Sequence, residues 1–146
     1  ELLRRNFRCS PTGVSIRAVG CFSGMFYTTA RDLIGLVYPR LIYGERMRDR
    51  DFMAYVDPEN REVMDHLPPM YLTSSHADFL KTQTLKYWNA LRRNGNTVQL
   101  EFYSDRQLRH LTHAFPAMKP GLRESRDVVE HLTDWFRRCG DGQRNG

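Results

Sequence analysis

Two side chains carry the chemistry that this sequence can do. Asp78 ends the segment Ser74-Ser75-His76-Ala77-Asp78, just after a short apolar run, and His113 lies in Leu111-Thr112-His113-Ala114-Phe115, after a second such run. A carboxylate hydrogen-bonded to an imidazole fixes its tautomer and stabilises the imidazolium formed when the ring accepts a proton. Such a ring can act as general base on a hydroxyl nucleophile and then as general acid on the leaving group. Asp78 also stands just before a helical run, where an aspartate can accept the free N–H groups of the first turn. The two roles compete only in part, because a carboxylate has two oxygens.

The remaining ionisable residues offer less. His110 and His113 are three apart and could share a helical face, but no third ligand is evident; zinc-protease helices use i and i+4 with a glutamate. We therefore expect no metal and no cofactor. His76, two residues before Asp78, reads as a pocket residue. Asp57, Asp65 and His66 read as helix-end and loop residues, and His131 as a surface residue of the last helix.

For Asp78 and His113 to meet, neighbouring strands must deliver them to one rim. Val14–Phe22 is the first strand expected, nearly continuous in apolar character as a strand covered on both faces would be. Residues 25–61 are aromatic-rich and broken by Pro39 and Gly44, which predicts short helices and loops. A further short helix is expected at Asn60–His66. Pro69–Ser74 is the second strand. Residues 79–94 form a helix with Leu80, Thr84, Trp88 and Leu91 along one face and Leu85 and Tyr87 beside them, closed by Gly95 as a left-handed cap. Thr97–Phe102 is the third strand; Val98, Leu100 and Phe102 alternate with polar residues, which suits a sheet edge. Residues 103–120 read as a long loop. Leu122–Arg138 is the last helix, with Val128, Val129, Leu132, Trp135 and Phe136 on its buried stripe. Residues 1–8 read as a helix end, Cys9–Gly13 as a loop, and Cys139–Gly146 as a disordered polar tail.

Strands alternating with helices predict an α/β fold with a parallel sheet. In such sheets ligands gather beyond the carboxyl ends of the strands, where Asp78 and His113 fall. Adjacent strands lie about 4.8 Å apart, close enough for their loops to join the two side chains.

Composition bounds the reading. The chain has 146 residues, 40% hydrophobic and 27% charged, which is one soluble domain's worth. The net charge of +5 is scattered, as in Glu45-Arg46-Met47-Arg48-Asp49-Arg50-Asp51, so nucleic acid is not an expected partner. No apolar run is long enough for a membrane span. Cys9, Cys21 and Cys139 make an odd number with no close pair, which favours a reducing, cytoplasmic compartment.

The segment Leu67-Pro68-Pro69-Met70-Tyr71-Leu72-Thr73-Ser74-Ser75-His76-Ala77-Asp78-Phe79-Leu80 resembles the acid-bearing region of α/β-hydrolase esterases and lipases, in the branch related to hormone-sensitive lipase. Tyr87–Gly95 resembles that family's following helix, Thr97–Tyr103 its last strand, and Thr112-His113-Ala114-Phe115 its His-Gly-Phe motif, with Ala114 where glycine is common. The final helix closing on Trp135-Phe136 and the Asp57-Pro58 turn also fit. The resemblance implies a Ser-Asp-His triad in chain order, with Asp78 and His113 in second and third place. No Gly-x-Ser-x-Gly is present; Gly20-Cys21-Phe22-Ser23-Gly24 sets its first glycine one position too far from the serine.

The resemblance therefore implies the C-terminal portion of an α/β-hydrolase over residues 1–139, with about three parallel strands, flanking helices and a cap-like insert at 25–61, followed by a disordered tail at 140–146. It further implies a serine-type carboxylesterase acting on small-molecule esters as part of a longer protein, with this chain alone inactive. The first strand's open edge would pair with the enzyme's N-terminal half or with another copy. The alternative is a parallel α/β binding module without catalysis.

Overall fold

The computed structural model describes residues 15–29 and 33–141. The helix end expected at residues 1–8, the loop at 9–13 and residues 142–146 of the expected tail lie outside them. Three parallel strands form one sheet in the order β1 (Val19–Phe22), β2 (Met70–Ser75) and β3 (Val98–Tyr103). Val19 stands opposite Met70, and Met70 opposite Val98, so the strands start level.

β2 is central, and every one of its residues is buried. That is why Met-Tyr-Leu-Thr-Ser-Ser carries no charge. β3 is half-buried throughout, as its alternation led us to expect at an edge. β1 is shorter than the expected Val14–Phe22. Its ladder opens with the Val19 amide on the Pro69 carbonyl (2.9 Å). Pro68 and Pro69 have no N–H to offer residues further upstream, so the pairing stops there. Among the described residues β1 pairs on one side only, and Gly20 within it is exposed.

Between β1 and β2 run short helices, as expected: α1 (Leu33–Tyr43), a 3₁₀ turn (Gly44–Arg48), α2 (Arg50–Val56) and α3 (Arg61–Met64). Asp49 caps α2 through the Phe52 amide (3.0 Å), and Asn60 caps α3 through Val63 (3.3 Å). Such caps contribute about 1 kcal/mol each. α4 (Lys81–Arg93) links β2 to β3 and ends at Gly95, whose φ of 84° is the left-handed conformation that glycine adopts without strain. The expected loop 103–120 contains a short helix, α5 (Phe115–Met118). α6 (Arg123–Asp141) closes the chain and runs past the boundary expected at residue 138, so residues 139–141 are helix and not tail.

Strand alternation sends Met70 and Leu72 to one side of the sheet, where they pack with Tyr27, Met64, Tyr87, Ala90 and Leu91. On the other side Val128 joins Leu111 and Phe115, and Tyr71 meets Trp135. The sheet is thus covered on both faces. On α4 the buried line is Leu80, Thr84, Tyr87 and Leu91, with Trp88 half-buried beside it. On α6 the expected stripe was too wide. Val128 is buried, but Val129 and Phe136 are exposed. One residue is about 100° of helix rotation, so Val129 turns away, whereas Leu132 and Trp135 stay near Val128's direction. Leu132 seats against Gly20: a Cβ there would lie 2.8 Å from its Cδ1.

Candidate active site

The sheet register sets the site at the strands' carboxyl rim. The His76 amide prolongs the ladder onto the Tyr103 carbonyl (2.8 Å). The chain then turns, with the Asp78 amide on the Ser75 carbonyl (3.2 Å), and Asp78 falls back over the end of β2. After β3 the loop is anchored on both sides of His113. Leu111 and Phe115 are 0% and 1% exposed, and the Ser75 hydroxyl donates to the Leu111 carbonyl. His113 therefore rides on a loop nailed into the core. Its Nδ1 lies 3.1 Å from Asp78 Oδ1.

The Asp78 side chain is 1% exposed and that of His113 39%. A buried carboxylate needs donors, and Asp78 has three. The Ser74 hydroxyl donates to Oδ2 (2.7 Å), and the Leu80 amide to Oδ1 (2.9 Å). His113 Nδ1 completes the set. Burial pushes the Asp78 carboxyl up, but the bonds from Ser23, Leu80, Ser74 and His113 outweigh it and hold the group below the usual carboxylate range. An ionised carboxylate only accepts, so Nδ1 carries the imidazole proton and Nε2 is left as the basic nitrogen. Asp78 Oδ1 takes the Leu80 amide and the histidine together; the first bond is a turn two residues ahead of α4, whose N-cap is Leu80 without a side-chain cap, so the capping role expected of Asp78 is not the one it has.

Phe79, 71% exposed, stacks on the His113 ring with centroids 4.6 Å apart and planes at 35°. Ala114, next to the histidine, has φ 51° and ψ 34°, the left-handed region. That conformation accounts for glycine being the natural residue there.

The other candidates stay apart from this pair. His76 is half-buried, its carbonyl takes the Lys81 ammonium, and partial desolvation, Lys81 and Arg106 push its ring below the usual histidine range. His110 faces Glu124 (3.7 Å), and His66 bonds the Glu62 carbonyl (2.8 Å). Asp57 caps the Glu59 amide (2.9 Å), and Asp65 accepts from Asn94 (3.0 Å). His131, expected at the surface, is half-exposed and bound to Glu101 (3.1 Å). No group of three or more metal-ligating side chains occurs among the described residues, and no helix among them is long and apolar enough to cross a membrane. Ser23, Ser74 and Ser75 were missed as site residues. Period-two alternation already sends Ser74 and Ser75 to opposite faces of β2, which was the available signal for those two.

Three solved structures share this architecture. Esterase B from Lactobacillus rhamnosis (HN001) matches with a TM-score of 0.77 at 17% identity, over 99% of this chain and 47% of that one. Its C4-C4 SN3 tributyrin phosphonate-inhibited form matches at 0.84 and 16%, over 99% and 46%. The C6-C4 SN3-inhibited form matches at 0.79 and 18%, over 99% and 48%. No family model and no curated protein matches by sequence. The chain has the fold of the C-terminal portion of an α/β-hydrolase, as the resemblance led us to expect, and it spans about half the length of the esterases it matches.

Proposed function

We propose that Asp78 and His113 are the acid and base of a serine-type carboxylic-ester hydrolase whose nucleophilic serine lies outside this sequence. The observation that carries this is the 3.1 Å contact between Asp78 Oδ1 and His113 Nδ1, with the acid buried and the ring open to solvent on its far side. In the proposed reaction the serine hydroxyl gives its proton to His113 Nε2 as its oxygen attacks the ester carbonyl. Asp78 stabilises the imidazolium. The bond to the alkoxide then breaks, His113 gives it the proton so that it leaves as the alcohol, and the acyl group stays on the serine. Water, deprotonated by the same nitrogen, releases the acid. The oxyanion donors also come from outside this sequence, so the chain alone is inactive towards esters.

The insert between β1 and β2 is proposed as a cap that shapes the acyl or alcohol pocket. Its α1 leaves Leu36 and Leu41 79% and 77% exposed, as suits a surface that meets further protein or substrate. The open edge of β1 is proposed to pair with the preceding half of the enzyme, or with a second copy.

The test is hydrolysis of short-chain aryl esters by the complete polypeptide that its gene encodes. Saturable turnover that His113→Ala abolishes while the far-UV circular dichroism is unchanged supports the reading. Equal turnover by the His113→Ala variant overturns it, and leaves a binding module as the account of this fold.

A further inference from the structure

We infer that Ser23 is a positioning residue of the Asp78–His113 pair, holding the histidine loop by accepting the Ala114 amide on its hydroxyl oxygen. The inference rests on the catalytic reading of that pair and adds a third crossover to it. Ser23 is the first residue after β1, is 4% exposed, and lies 91 positions from Ala114 in sequence. Its Oγ accepts the Ala114 amide at 2.9 Å. Its hydroxyl is also among the groups that hold the Asp78 carboxyl below the usual range. One hydroxyl therefore ties the end of β1 to the residue that follows the base.

Backbone conformation supports the assignment independently. Ser23 and Ala114, at φ 56° and 51°, are the two non-glycine residues with positive φ among the described residues, and they are hydrogen-bonded to each other. A left-handed non-glycine residue costs roughly 1 kcal/mol or more and persists where its surroundings over-determine it. If Ser23 served only to turn the chain out of β1, glycine would serve better. A serine kept there at a conformational cost is explained by what its hydroxyl does.

The geometry also excludes Ser23 as a nucleophile. Its oxygen is engaged by the Ala114 amide and the side chain is buried.

The experiment separates the hydroxyl from the turn. Ser23→Gly relieves the backbone and removes the hydroxyl; Ser23→Ala removes the hydroxyl and keeps the strain. Both are made in the complete encoded polypeptide. Two quantities are read: kcat and KM on aryl esters, and the His113 Nδ1–H proton resonance, which is far downfield and slow to exchange while the imidazole donates to Asp78. A displacement of the acid or base by up to 1 Å costs up to about a hundredfold in rate. We expect both variants to lose about tenfold to a hundredfold in kcat with KM within twofold, and to show a broadened or shifted His113 proton. Ser23→Gly retaining wild-type kcat and an unaltered His113 proton overturns the inference and leaves Ser23 a turn residue. If the wild-type polypeptide hydrolyses no ester, the catalytic reading fails, and the proton resonance alone then decides whether Ser23 positions the pair.

Discussion

Asp78→Asn isolates the charge of the site from its shape. The asparagine carbonyl can occupy the Oδ1 position and keep the Leu80 amide and the His113 donor, while its NH₂ group faces the Ser74 hydroxyl, which can rotate to accept. The fold should therefore survive with a loss of about 1–2 kcal/mol, the scale of one or two weakened buried hydrogen bonds. What disappears is the negative charge 3.1 Å from His113 Nδ1. At an effective permittivity of about 20, two unit charges at that distance attract by roughly 5 kcal/mol. Solvent at the half-exposed ring reduces this to about 3–5 kcal/mol. At about 1.4 kcal/mol per decade of rate, kcat should fall roughly 10²- to 10⁴-fold, with KM little changed because Asp78 does not touch the substrate. The assay is steady-state ester hydrolysis by the complete polypeptide, with thermal denaturation of each variant as the folding control. A folded Asp78→Asn enzyme keeping more than a tenth of wild-type kcat would refute the claim that this carboxylate stabilises an imidazolium.

Acid should weaken the fold through the same group. The Asp78 pKa is lowered in the folded state, so its contribution is present above the ordinary carboxylate range and is lost as pH falls through the folded value; denaturant midpoints from pH 7 to pH 2 should fall less steeply for Asp78→Asn than for the wild type. Gly20→Ala places a Cβ 2.8 Å from Leu132 Cδ1, which a rotation of that side chain can relieve, so the unfolding free energy should change by less than about 1 kcal/mol; a larger loss would show Leu132 fixed in place against β1. Phe79→Ala uncovers one face of His113 and removes an exposed aromatic surface beside it, and should raise KM for aryl or long-chain esters about tenfold more than for acetates. Equal effects across esters would place Phe79 outside the substrate's path.

The parts of this molecule governed by local rules were legible in the sequence. The short apolar run at Pro69–Ser74 read as a strand, Gly95 as a left-handed cap, and Asp78 and His113 as residues that follow their strands at one rim; that this strand is the central one comes from the pairing. Element lengths were less legible. β1 ends upstream where Pro68 and Pro69 stop the ladder, a fact of pairing and not of β1's own residues. Val129 and Phe136 read as core because apolar type alone does not distinguish the exact face of α6. Ser23 was hidden for a different reason. Its hydrogen-bond partner, Ala114, belongs to another crossover 91 positions away, and only a sheet in register brings the two together; in the sequence it looked like part of a failed nucleophile motif.

The most direct measurement of the central claim is labelling of the complete polypeptide with a fluorophosphonate, followed by peptide mapping. The expected result is one modified serine outside Glu1–Gly146, labelled rapidly in the wild type and at least a hundredfold more slowly in His113→Ala. Label on Ser23, Ser74 or Ser75, or labelling at a rate indifferent to His113, would contradict the account.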